Sequence, residues 1–363
     1  MSNPFLLTSE YDGTQYVTER CSLNRAVLAK VPVEGIEDEI AGLPFSRIFS
    51  TPLIVAEIRR LSRHYALDLS DTPDSRLPQI LNEGLVSDDA RLRQLSERVV
   101  RRFGNRLGML LLSLRMGEEE NRLARPDWDD ACWDYWRRLD TVILTGGLAS
   151  SMLGRRLKEQ AMYIFDRRGV RPYNITLFEN GAFLGVMGVA ERLMGDRGCA
   201  MGFDLGHTNF KRALVRREGG VISGFTPFET VPSRFMQSRF DTEDEKMRYA
   251  VDLHNYIVKT IVSAYKEATT LTEVSGDFLI SIANYTHSGY LNPNRGGFAK
   301  LALLDDHYAS VLDEVLSGEL KRPIRTTLVH DATATALYFS DVPNAVSITL
   351  GTGFGVGFPE IRL

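Results

Sequence analysis

Three times in this chain a short apolar strand pattern runs into a turn built of glycine and small polar residues. Residues 141–144 end in Thr145-Gly146-Gly147, residues 200–205 end in Gly206-His207-Thr208-Asn209, and residues 346–350 end in Gly351-Thr352-Gly353-Phe354-Gly355. Small residues at a strand end let backbone N–H groups approach an anion, and a following helix adds its N-terminal dipole. Taken singly, a glycine-rich turn between strands is more often just a hairpin. Three of them, with carboxylates Asp204 and Asp331 also at strand ends, form a more specific set that points to an α/β protein handling phosphates.

The pattern between the turns supports that class. A helix is expected from Ser87 to Met116, because Leu92, Leu95, Val99, Phe103, Leu107, Leu110 and Leu114 recur at three- and four-residue spacing. Gly104 and Gly108 inside it permit close approach of another backbone. Residues 200–205, 212–217 and the run from Val221 read as a three-strand meander. A helix over 242–269, a strand over 277–283, a helix over 304–316, a strand over 326–329 and a helix over 332–339 follow. All three tryptophans (Trp128, Trp133 and Trp136) fall in one segment, read as core or interface packing, with residues 127–136 as a homodimer contact.

The chain has 363 residues and a formal net charge of −4. Neither figure gives a global reason to expect nucleic acid or an anionic membrane as partner. Arg98, Arg101, Arg102 and Arg106 read as a solvated helix face. Cys21, Cys132 and Cys199 lack metal-ligand spacing, so no protein zinc site is expected. The absence of a signal-peptide core and of a long apolar run leads to the expectation of a soluble cytoplasmic protein.

Asp331 opens the helix pattern after a strand. It reads either as a cap of that helix or as a general base that accepts the proton of an alcohol attacking a phosphoryl group. Asp204 reads as a water-mediated magnesium ligand, with Lys211 as a nearby cation.

FDLGHTNFKRALV (203–215) resembles the first phosphate segment of hexokinases and of the ROK sugar kinases, and VHDATATAL (329–337) resembles their catalytic segment. ITLGTGFGVGF (348–358) is similar to their second phosphate segment. LDTVILTGGLASSMLG (139–154) resembles their adenosine segment, and ITLFENGAFLGVMGVAERL (175–193) resembles the end of a ROK chain. The resemblance implies two actin-like (ribonuclease H-like) α/β domains with a cleft between them, ATP and Mg2+ as cofactors, and a small sugar as substrate. It makes Asp331 the base. Asp204, Gly206, His207, Thr208, Asn209, Lys211, Gly351, Thr352, Gly353 and Gly355 fall to phosphate and magnesium, and Gly146 and Gly147 to the nucleoside. His330, Asn284 and His287 are the candidate sugar contacts.

In the family the adenosine segment and last helix follow the second phosphate segment; here they precede the first. The order is the same on a circle, which implies a circular permutation. The expected domains are 1–180 plus 345–363 on the nucleotide side and 196–344 with the first phosphate and catalytic segments, joined by helix 181–195, with a hinge near Asp196. Two departures stand out: His207 replaces a glycine, and His330 replaces the usual asparagine. They keep a second reading open, a non-catalytic sugar or nucleotide sensor on the same fold, and a weaker third, an actin-like ATPase with a protein partner.

Overall fold

The computed structural model describes residues 2–179, 181–195 and 197–363. In chain order its main elements are α1 (Thr51–His64), α2 (Ala90–Met116), β1 (Thr141–Thr145), α3 (Ser151–Arg168), β2 (Asn174–Leu177) and α4 (Leu184–Leu193). These are followed by β3 (Gly198–Leu205), β4 (Asn209–Glu218), β5 (Val221–Pro227), α5 (Glu243–Thr269) and β6 (Asp277–Ile282). The chain closes with α6 (Tyr308–Leu320), β7 (Arg325–His330), α7 (Asp331–Leu337), β8 (Ala345–Leu350) and β9 (Phe354–Gly357). Asp196, where the sequence reading places a hinge, lies outside the described residues. Among the described residues, no helix is long and apolar enough to cross a membrane.

Two compact units account for the chain. The first comprises Met1–Phe5, Arg20–Ala182 and Asn344–Val356; the second comprises Leu6–Glu19, Phe183–Pro343 and Gly357–Leu363. Residues 6–19, 183–195 and 357–363 thus group with the second unit, whereas the expected boundaries put the first and last of these segments on the nucleotide side. Packing explains the grouping. A Cβ on Gly188 of α4 would lie 1.9 Å from the Ala334 carbonyl oxygen in α7, and one on Gly357 would lie 2.0 Å from that of Ala332. The Gln15 N–H donates to the Arg362 carbonyl at 2.7 Å.

In the first unit β1 is parallel to both β8 and β2, and the sheet order is β9-β8-β1-β2. β1 is buried along its whole length, as an apolar run in a parallel sheet should be. α2 and α3 pack through the two predicted glycines. A Cβ on Gly104 would fall 2.4 Å from Gln160 Cβ, and one on Gly108 would fall 2.8 Å from the Ala161 carbonyl. The cap of α2 differs from expectation: Asp89 accepts the Arg91 N–H at 2.8 Å, while Ser87 accepts the Asp89 N–H. An oxygen two residues before the donating N–H suits an N-cap, and Asp89 holds that place.

Trp128, Trp133 and Trp136 are 5%, 3% and 0% exposed, with Trp128 stacked on Trp136 and edge-on to Trp133. They are core of the first unit, so the 127–136 segment does not offer its indoles as a contact surface. Arg102 and Arg106 also differ from a plain solvated face. Arg106 Nε donates to Glu37 at 2.8 Å, and Arg102 reaches Glu37, Glu39 and Glu57.

The second unit holds the predicted meander. β3 pairs antiparallel with β4, and β4 with β5; β3 then pairs parallel with β6, and β6 with β7. α5 begins at Glu243 with Thr242 as its cap, accepting the Glu245 N–H. α6 starts later than its pattern suggested, because the His307 imidazole caps it through the Ser310 N–H. Met201, Phe203, Leu205, Ile280, Ile282, Ile257 and Ile261 sit in the core between sheet and helices.

Candidate functional site

The site of the second unit forms where three parallel strands end together. Ile282 is in register with Leu205 on one side and His330 on the other. The carboxyl ends of β3, β6 and β7 therefore stop at one level, the place where open α/β sheets bind ligands. Asp204 and Ser281 are register partners on β3 and β6, and Ser281 Oγ donates to Asp204 Oδ1 at 2.9 Å. Asp204 and Lys211 face each other across the β3–β4 hairpin, which brings Lys211 Nζ to 2.9 Å from Asp204 Oδ2. Gly185 of α4 covers this pair closely: a Cβ there would lie 2.9 Å from Ser281 Oγ and 3.4 Å from Asp204 Cγ.

Asp331 is the first residue of α7, directly after β7. Its Oδ1 accepts the Ala332 N–H at 2.7 Å and lies 3.2 Å from His330 Nε2. The side chain is half-buried, with 42% of its surface open. That loss of solvation, with the Asp204 charge adding to it, pushes the Asp331 pKa up to about 6, against the pull of the Ala332 N–H, His207 and Lys211. His330 is buried, stacked on Tyr285 at 4.6 Å, and bonded through Nδ1 to Thr333. Burial drives its pKa down to about 3, so the imidazole beside Asp331 is neutral.

The turn between β3 and β4 closes with the Gly206 N–H donating to the Asn209 carbonyl at 3.1 Å. Ser233 ties it down from outside, its Oγ donating to the Gly206 carbonyl and its N–H to the Thr208 carbonyl. His207, Thr208 and Asn209 are exposed. His207 is not among the residues with positive φ, so the imidazole replaces a glycine without left-handed strain. Its ring packs edge-on against Phe298 at 5.8 Å. Desolvation lowers its pKa, Asp331 raises it and Lys300 lowers it, with a net downward shift. At neutral pH the ring is therefore a neutral donor or acceptor and not an added cation.

Lys300 escaped the sequence reading. It is 2% exposed, donates to the Gln237 and Gly297 carbonyls, and burial lowers its pKa to about 8. Ser281 and Ser233 escaped too. None of the three sits in a glycine turn, and only strand register and loop packing bring them to the site.

Asn284 and His287 do not join Asp331. Asn284 is buried, its Nδ2 donating to the Asn292 and Arg295 carbonyls and its Oδ1 accepting the Asn292 N–H. That amide is spent on holding its own loop. His287 stacks between Tyr16 and Tyr290, at 4.7 and 5.6 Å.

In the first unit the other two glycine turns meet. β1 and β8 are parallel neighbours, so their ends place Gly146 beside Leu350; a Cβ on Gly146 (φ +90°) would fall 2.4 Å from the Leu350 carbonyl. Thr145 and Thr349 hydroxyls bond at 2.9 Å just below. The Gly351 carbonyl accepts the Thr51 N–H at the start of α1, and Asn24 pairs with both backbone groups of Phe354. Gly147 and Thr352 are exposed, Gly351 and Gly353 are half-buried in the turn, and Gly355 lies in β9. Ser151, which opens α3 beside this turn, holds φ +56°, a strained backbone of the kind that gathers at ligand sites.

Among the described residues no group of three or more His, Cys, Asp or Glu converges to hold a metal ion. Both Asp204 oxygens are already bonded, so Asp204 fits magnesium through water rather than directly.

The electrostatic reading of Asp331 makes a prediction of its own. Asp204→Asn removes the neighbouring charge, so the Asp331 carboxyl should titrate below its wild-type midpoint near 6. A carboxyl 13C titration followed by NMR reads this directly; an unchanged midpoint would leave desolvation alone as the cause.

The fold and site define a mixed α/β protein with strand-end carboxylates and glycine turns. No protein family matches the chain, and no curated protein matches it. Among solved structures it is similar to the crystal structure of ethanolamine utilization protein EutJ from Carboxydothermus hydrogenoformans. The two share 11% identity over 63% of this chain and 73% of that one, with a TM-score of 0.33. A likeness that distant carries no argument about function.

Proposed function

We propose that this protein is an ATP-dependent phosphotransferase acting on a hydroxyl of a sugar or sugar-like polyol, on a circularly permuted actin-like fold, with Asp331 as general base. The observation that carries this reading is Asp331 itself, a carboxylate at the common end of three parallel strands with its pKa raised to about 6. A base with that pKa is ionised at neutral pH and still holds a proton well enough to take one from an alcohol. In phosphoryl transfer the protein's part is mostly positioning and charge, and the turn 206–209, with Lys211 behind it, suits the phosphate end of that task. Magnesium would be held by nucleotide phosphates and water, with Asp204 reaching it through water. The glycine pair 146–147 and the turn 351–355 are the proposed nucleoside and second phosphate segments. The order of these segments along the chain supports the permutation.

The second reading, a non-catalytic sensor, has one observation in its favour: the neutral His207 ring stands at the tip of the first turn, where the resembling kinases carry a glycine.

ADP release from MgATP across a panel of hexoses, pentoses and linear polyols separates the two. The kinase reading expects turnover that needs one acceptor class and rises about tenfold per pH unit until it levels near pH 6. No turnover with any acceptor, while a sugar or nucleotide still raises the melting temperature, would favour the sensor.

A further inference from the structure

A cavity lies in the second unit, beside the open edge of β7. It encloses about 620 Å³ and is lined by β7 residues 325–330, by residues 12 and 14–17 of the N-terminal hairpin, by 286–289, and by His307 and Asp313. Neither Asp204, His207 nor Asp331 lines it. We propose that this groove binds a neutral polyhydroxyl ligand the size of a monosaccharide or disaccharide, at a place that adjoins the strand-end site through His330 but is not lined by its carboxylates.

The lining chemistry selects the ligand class. Asp12, Asp277 and Asp313 face Arg325 as the sole lysine or arginine in the lining. That balance disfavours a phosphate or other anion. The carboxylates do not cluster, since no three metal-ligating groups converge among the described residues. That disfavours a compact cation.

What remains is a wall that mixes donors and acceptors, as hydroxyl groups require. Asp12 Oδ1 accepts from Thr14, Asp313 Oδ1 from the Thr326 N–H and hydroxyl, and Asp277 Oδ2 from Ser275. Asp313 and Asp277 each keep their other oxygen for a ligand, whereas Asp12 is also engaged by Ser9 and Ser288. Thr286 covers the edge strand at one point, donating to the Leu328 carbonyl. The stack of Tyr16, His287 and Tyr290 stiffens the opposite side.

His330 gives the groove its interest. The ring lies in the lining, bonded through Nδ1 to Thr333, itself part of the lining, and its Nε2 lies 3.2 Å from Asp331 Oδ1. A ligand bonded at Thr333 is thus one imidazole away from Asp331. The proposal goes beyond the phosphotransfer reading and does not depend on it.

The test is isothermal titration calorimetry of the full chain with D-glucose, D-glucitol and maltose, and with spermidine and inorganic phosphate as counter-probes. Thr327→Phe fills the groove from β7, and Arg325→Trp blocks it from an exposed position should the first variant fold poorly. At least one of the three hydroxyl probes should bind saturably, weaken about tenfold or more in a groove variant that melts as a folded protein, and bind Asp331→Asn as it binds wild type. No saturable binding of the three, binding unchanged in a folded groove variant, or binding of spermidine or phosphate alone would overturn the proposal. None of those outcomes alters ADP release, so this proposal and the phosphotransfer reading fail separately.

Discussion

Asp331→Asn is expected to lower turnover by about 10² to 10⁴, the range that a positioned general base contributes, with nucleotide affinity nearly unchanged. The amide is isosteric and still accepts the Ala332 N–H that Oδ1 accepts now, so α7 keeps its start. Only the proton-accepting charge is lost. Because kcat and kcat/KM should fall together, the loss would be one of transition-state interaction rather than of binding. Normal turnover in the variant would reduce Asp331 to a helix cap.

The same substitution carries a second signature that needs no substrate. The folded-state pKa of Asp331 is raised from 3.8 to about 6. The native state therefore binds this proton more tightly than the unfolded chain does. Wild type loses stability from this group as pH rises from about 4 to about 6, and the loss is constant above that. The melting temperature of Asp331→Asn relative to wild type should climb across that window and then level. A difference that stays flat from pH 4 to 7 would mean that Asp331 is solvated normally. Loss of turnover together with this climb would mark a residue placed for chemistry at the expense of stability.

The second large effect concerns packing. Gly188→Val should destabilise the protein by about 3 kcal/mol or more, because the new Cβ meets backbone, which cannot turn aside as a side chain can. The nearest atoms are the Ala334 carbonyl oxygen at 1.9 Å and the Tyr338 nitrogen at 3.0 Å. Gly318, in the exposed last part of α6, is the control. A Cβ there meets nothing within 4 Å, so Gly318→Ala should stabilise by about 0.5–1 kcal/mol through helix propensity and unfolded-state entropy. Thermal unfolding at pH 7 measures both. Equal shifts in the same direction would refute the close α4–α7 contact. A loss of this size in Gly188→Val would also show that α4 is integral to the second unit.

Much of the fold was legible in the residues. The meander of β3, β4 and β5 follows from alternation and turn chemistry, and a close approach of some backbone to α2 follows from Gly104 and Gly108, though not that the partner is α3. These are local signals, in which a few neighbouring residues carry the information. The helix start of α6 was misplaced because its cap is an imidazole, an unusual cap whose geometry only the fold reveals. Arg102 and Arg106 read as a solvated face because their acidic partners lie more than forty residues away in sequence.

The candidate site divides in the same way. The sequence by itself determined that Asp204 lies at a strand end and Asp331 directly after one, that glycine turns follow β1, β3 and β8, and that His207 and His330 stand where the resembling family carries other residues. Strand ends and turns are written in short-range steric preferences, so one chain is enough to read them. Tertiary structure alone decided that Ser281 bonds Asp204, that Asn284 is spent on its own loop, that Lys300 is buried near His207, and that Asp331 is desolvated and faces a like charge. Those facts depend on the register of parallel strands, whose partners are separated by long crossovers, and on desolvation, which arises only when distant segments exclude water from the same point.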